Sequence, residues 1–227
     1  MYIQDSFFPI QTWCGMTRQS IFYPTIVQIL LALNLIIFAL LMAAGDQIME
    51  TFALWPLGLT DEELFKGIAP SFHIWQLISY GFLHGGIFHL LINMYVLWLF
   101  GSRIEYAWGS KAFGIYYLVC VIGAGLVQLL FASYTMSEGA IYPTVGASGG
   151  VFGLLLAFGL TYPNERLMLI FPPIILKAKW LVLIYAAIEL YAGVTGTLAG
   201  IAHFAHLGGM LFGFLLLVYW GKHPLKH

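Results

Sequence analysis

The chain has little charge. Only 8% of its 227 residues are Asp, Glu, Lys or Arg, where a soluble domain carries about a quarter. That shortage, beside a hydrophobic share of 61%, excludes an ordinary water-soluble domain and makes this a membrane protein. A surplus of positive charge is lacking too, since nine Lys and Arg face ten Asp and Glu. A nucleic-acid partner is excluded, because binding phosphates needs a basic surface. Two cysteines, Cys14 and Cys120, can build neither a disulfide framework nor a thiolate metal cage. No basic region and small-residue cleavage site flank the first apolar run, so it is expected to be a retained span rather than a leader. Internal repeats, low-complexity segments and lipidation motifs are not seen.

What the chain has is long apolar runs. A hydrocarbon core about 30 Å thick takes roughly 20 helical residues at about 1.5 Å each. Six stretches meet or approach that length: Pro24–Ala44, Gly86–Phe100, Phe113–Tyr134, Ser148–Tyr162, Trp180–Val194 and Leu198–Trp220. The second and fourth are short. The expected fold is all-α, a polytopic bundle of six transmembrane helices over residues 24–220, with tails at 1–23 and 221–227 and a long first loop over about 45–85. Arg18, Arg103, Lys111, Arg166, Lys177, Lys179, Lys222 and Lys226 all fall on one side of that arrangement, and only Lys66 on the other. The positive-inside rule then makes both termini cytoplasmic. Trp55, Leu57, Phe65 and Trp75, set among Asp61, Glu62 and Glu63 in the first loop, suggest segments lying in the membrane interface. Trp108, Trp180 and Trp220 read as interfacial anchors.

Polar groups inside spans are costly and point to function. Here they are His84, His89 and Asn93 near the start of span two, Ser148 opening span four, Glu189 in span five, and His203 and His206 in span six. His89 lies 14 residues above Arg103, Ser148 14 above Tyr162, and His206 14 above Trp220. Each is therefore roughly 21 Å above the inner boundary and roughly 9 Å beneath the outer one. Asn93, one turn below His89 on the same helix face, points into that layer.

These residue types suit acyl transfer. A serine hydroxyl becomes a nucleophile when a base takes its proton, and His206 is the candidate base for Ser148. The oxyanion that follows needs donors, which the Asn93 amide, the His89 ring N–H and the Ser148 backbone N–H can supply. A short span four leaves room above Ser148 for water. Gly149 and Gly153 on span four, and Ala205, Gly209 and Gly213 on span six, form small-residue faces that let helices approach closely. Phe152, four residues beyond Ser148, can pack its ring on His206. No metal or cofactor is expected. The Gly146-Ala147-Ser148-Gly149-Gly150 run also fits the G-x-S-x-G elbow of soluble hydrolases, but that elbow needs a preceding strand and a sheet. A competing reading makes His84, His89, His203 and His206 a metal or proton pathway, although it leaves Ser148 and the glycine faces without a role. Glu189 reads as a hydrogen-bonded structural acid, with proton carrier as its functional alternative.

The Gly146–Gly150 run, Ala205-His206-Leu207-Gly208-Gly209-Met210-Leu211-Phe212-Gly213, and His89-Leu90-Leu91-Ile92-Asn93 resemble the three signatures of rhomboid intramembrane serine proteases, in the same order and on the same spans. The resemblance covers the six-helix core. It implies a Ser148–His206 dyad without a third, acidic member, an oxyanion site that includes His89 and Asn93, and support of the dyad from Phe152, Gly146, Gly149, Gly209 and Gly213. It also implies cleavage of single-span membrane proteins in or near their transmembrane segment, with the lipid bilayer as the other partner. His84, Trp75, Gly101 and Glu105 resemble further family positions. Two departures stand out: Trp75-Gln76 replaces the common Trp-Arg of loop one, and Phe152 replaces a Tyr found in some members. The short tails fit a prokaryotic plasma membrane with the site toward the outer side. Oligomeric state is not encoded in any motif.

Overall fold

The computed structural model describes residues 25–58, 69–136, 141–169, 173–197 and 200–222. Cys14, Arg18, Pro24, Asp61, Glu62, Glu63, Phe65, Lys66, Leu198 and Lys226, with the tail assigned to 1–23, lie outside the described residues. The chain is an all-α membrane bundle. Helix α1 (Ile26–Ala43) is followed by α2 (Gly45–Phe52), the short α3 (Gln76–Ser79), α4 (Ile87–Val96), α5 (Ser102–Trp108), α6 (Ser110–Met136), α7 (Ser148–Thr161), α8 (Ala178–Thr195) and α9 (His203–Lys222). A π turn at Leu97–Gly101 joins α4 to α5, so that Ile87–Trp108 forms one apolar span. With α1, α6, α8 and α9 there are, among the described residues, five helices long and apolar enough to cross a bilayer, and α7 is a shorter apolar helix of 14 residues.

Several span boundaries move. The second span continues past Phe100 to Trp108 and carries Arg103 within helix; at Gly101 the π turn packs so close to Val27 and Phe113 that a Cβ would lie 3.1 and 3.4 Å from them. The sixth helix starts at His203. An antiparallel pair, β1 (Arg166–Met168) with β2 (Ile175–Lys177), joins α7 to α8. No alternation in that stretch led to an expectation of strands. Trp108 and Trp220 are core residues, each 6% exposed and edge-to-face at 6.2 Å; of the three expected anchors only Trp180 is exposed.

α7 sits between α6, α8 and α9. Nine of its residues are buried, from Gly149 to Gly159, and a helix enclosed on every side shows no polar face. At about 1.5 Å per residue it covers roughly 21 Å, less than the hydrocarbon core. The missing height is extended backbone, which is tolerated at membrane depth only where protein satisfies its polar groups. Thr144 and Leu54 exchange both backbone hydrogen bonds, at 2.9 and 3.0 Å, and the Gly146 N–H donates to the Tyr80 carbonyl at 3.0 Å. The first loop thus pairs with the segment that delivers Ser148.

That loop is itself tied down by Gln76. Its buried amide accepts from the Trp55 N–H at 3.3 Å and donates to the Thr51 carbonyl at 3.3 Å. Trp75 Nε1 and the Ser79 hydroxyl donate to Thr51 and Phe52 carbonyls at 3.0 and 2.7 Å. A neutral glutamine therefore closes the loop.

Candidate active site

Ser148 is the first residue of α7, so its N–H is among those a helix leaves without an intrahelical acceptor. The backbone before it turns at Gly146, whose φ of +134° lies where residues with a Cβ rarely go. A Cβ at Gly146 would also meet His89 Cε1 at 2.8 Å and Ser148 Oγ at 3.4 Å. Glycine here brings the His89 ring and the Ser148 hydroxyl to the two sides of one spot.

His206 is one turn into α9 and 8% exposed. Its Nε2 lies 2.8 Å from Ser148 Oγ. The Phe152 ring stacks on the imidazole with centroids 4.1 Å apart and planes 9° from parallel, which fixes the ring's orientation. The α7–α9 approach explains the short distance: a Cβ at Gly209 would overlap the Gly149 carbonyl, and one at Gly149 would overlap Ala124 on α6. Gly153 faces both helices, against Cys120 and the Gly209 carbonyl, while Gly213 faces Tyr116 and Cys120 on α6 rather than α7. The glycine face on α9 is thus split between two neighbours.

His89 is half-buried near the start of α4 and meets His84 edge-to-face at 5.0 Å. Asn93 is 4% exposed and donates through Nδ2 to the His89 carbonyl at 2.8 Å. One amide proton of Asn93 is left over, since the group carries two. His89, Asn93, Ser148, Phe152 and His206 all line one cavity of 1410 Å³, whose other walls include side chains of α4 and α8. That volume exceeds the several hundred cubic ångströms of a small-molecule pocket.

Glu189 was not expected among these residues. It is 7% exposed on α8, and its Oε2 lies 2.6 Å from His203 Nδ1 and 2.9 Å from His206 Nδ1. The depth count that aligned Ser148, His89 and His206 puts Glu189 nine residues above Trp180, about 14 Å up and so more than a turn too low. The contact is nonetheless made, so the count from Trp180 does not give the true level of Glu189. Thus the acid and two imidazoles form one cluster behind the serine.

Fold and site together define a class: a polytopic helical membrane protein whose central cavity holds a hydrogen-bonded serine and histidine. Residues 71–223 match the rhomboid domain model, and the chain belongs to the rhomboid family. It is 39% identical over 142 residues to RHOMBOID-like protein 4 of Arabidopsis thaliana, covering 63% of this chain and 33% of that protein. It is 31% identical over 152 residues to the RHOMBOID-like protein 6, mitochondrial, of the same plant, covering 67% and 45%. The match to the presenilin-associated rhomboid-like protein, mitochondrial, of Bos taurus is 35% over 140 residues, covering 61% and 36%. The chain therefore spans less than half the length of these relatives.

Proposed function

We propose that this chain is an intramembrane serine endopeptidase that cleaves single-span membrane proteins in or near their transmembrane segment. The observation that carries the reading is the 2.8 Å contact between Ser148 Oγ and His206 Nε2 beneath the Phe152 stack. In the reaction, His206 Nε2 takes the hydroxyl proton as Oγ attacks the scissile carbonyl carbon. The carbonyl oxygen becomes an oxyanion, stabilised by N–H donors of Asn93, His89 and the Ser148 backbone. His206 then gives its proton to the leaving amine as the C–N bond breaks, and water hydrolyses the Ser148 ester by the same exchange. The cavity suits such a substrate because it is larger than a metabolite needs and is walled by α4 and α8.

The membrane domain over 24–220 with six spans belongs to this proposal, α7 being the short sixth member of the set. So does the orientation, which rests on eight of nine basic residues sharing one side and sets the serine toward the outer leaflet. The bilayer is the one certain setting of a multi-pass protein. The relatives named above lend a prokaryotic plasma membrane no support, being plant and mammalian and in two of the three cases named mitochondrial.

The test is cleavage of a single-span substrate by protein purified in detergent. Ser148→Ala and His206→Ala are expected to abolish it, and Asn93→Ala or His89→Ala to lower turnover about ten- to a thousandfold. Undiminished cleavage by Ser148→Ala refutes the proposal.

A further inference from the structure

His206 has two ring nitrogens, and the proposed chemistry uses one. For Nε2 to accept the Ser148 proton, a neutral imidazole must carry its own proton on Nδ1. In a water-poor site that N–H needs an acceptor, or the ring is free to take the other tautomer. The Glu189 carboxylate is there, 2.9 Å from Nδ1 on the side of the ring away from Ser148. Its approach is off the axis of the Nδ1–H bond, so the two groups are in electrostatic contact short of an aligned hydrogen bond. Catalytic hydrogen bonds are often poorly aligned in the resting enzyme and tighten in the substrate complex. His203 Nδ1 donates to the same Glu189 oxygen at 2.6 Å, which limits the rotation of the carboxylate.

We propose that Glu189 is a positioning residue completing a Ser148–His206–Glu189 arrangement, with His203 as the clamp on the acid. The inference rests on the serine-endopeptidase reading above and departs from a two-residue dyad. Glu189 selects the Nδ1–H tautomer and faces the positive charge that appears on His206 when the hydroxyl proton reaches Nε2. The Nδ1 proton stays on the imidazole throughout, and the carboxylate ends the step ionised as it began. Phe152 holds the face of the ring, Glu189 its far edge.

A metal site is the competing use of the same atoms, since one ligand atom from each of Glu189, His203 and His206 lies within 4.8 Å of the others. A tetrahedral zinc with ligands at about 2.0 Å holds its donor atoms about 3.3 Å apart. The observed 2.6 and 2.9 Å separations are those of groups bonded directly to one another. The cluster as built favours the carboxylate–imidazole arrangement.

The experiment uses the full chain in detergent and compares wild type, Ser148→Ala, Glu189→Gln and Glu189→Asp. It reads kcat and KM on a single-span substrate, the second-order rate at which a fluorophosphonate probe labels Ser148, and thermal unfolding. Glutamine keeps an oxygen for His203 but not the charge. Glu189→Gln is expected to lower kcat and the labelling rate together, by about a hundredfold or more, with KM unchanged. Glu189→Asp should recover part of that loss. Wild-type kcat and labelling in Glu189→Gln, with Ser148→Ala inert, overturn the inference and leave the endopeptidase reading standing. If wild type neither cleaves nor labels at Ser148, both fall. Should Glu189→Gln unfold, Glu189→Asp decides alone: a reduced kcat at constant KM supports the role, and a wild-type kcat refutes it. Wild-type activity that a chelator abolishes, or that one equivalent of zinc blocks only while Glu189 is present, replaces the proposal with the metal site.

Discussion

His84 shows what one buried side chain contributes outside the spanning helices. It lies ahead of α4 and is 1% exposed. Burial holds its imidazole down to about 4, with the neighbouring His89 adding to the effect and a contact with the Phe82 backbone opposing it. An unfolded histidine titrates near 6.5. Between those values the unfolded chain binds more protons than the folded one, so stability rises with pH across the window and is lost as pH falls through it. The unfolding temperature in detergent should drop from pH 6.5 toward pH 4, and His84→Gln should flatten that drop. An equal slope in both proteins counts against this account. That Ser148, His206, His89 and Asn93 line one cavity was legible in the sequence because polar residues are scarce there and three helices put them at one depth; the roles of nucleophile, base and oxyanion donor remain those proposed. Glu189 was legible as a buried acid but not as a partner of His206. A residue count sets depth only as well as the end it starts from is placed, and it says nothing of which side chains meet across helices.

For the elements, spans were easier to read than their ends. Apolar length marked α1, α6, α8 and α9, whereas the π turn that extends the second span depends on packing around Gly101 that no periodicity carries. The β1–β2 pair is too short for an alternation signal. Helix contact is where the glycine spacing had predictive content, although it did not say which glycine faces which helix. Because a Cβ at Gly209 would overlap the Gly149 carbonyl, Gly209→Ala must push α9 off α7 and lengthen the Ser148–His206 contact. Labelling of Ser148 by a fluorophosphonate should fall at least tenfold in that variant. Gly45→Ala meets no atom within 4 Å and should label at the wild-type rate. Equal labelling of the two would show that the close approach is not what sets the dyad distance.

At the scale of the whole molecule, the proposed sidedness rests on the placement of basic residues and not on bundle packing. The test is chemical labelling of single cysteines in a chain whose Cys14 and Cys120 have been replaced. An impermeant maleimide added to intact cells should modify Ser71→Cys, in the first loop, and should reach Lys177→Cys, in β2, only after the membrane is opened. The reverse pattern inverts the proposed orientation. Among the described residues, one acid also ties three helices together at one end of this layout. Glu105 accepts from the Ile26 and Val27 N–H groups at 2.7 and 2.9 Å and from the Ser110 hydroxyl at 2.6 Å, while Arg103 pairs with Glu165 instead. The cap on α1 thus comes from 79 residues further along the chain. During synthesis, α1 emerges long before the group that finishes its first turn. Until the second span follows it, that terminus has, among the described residues, the local Thr25–Gln28 capping box. The first helix thus gains the Glu105 cap on its first turn only when the second span has arrived beside it.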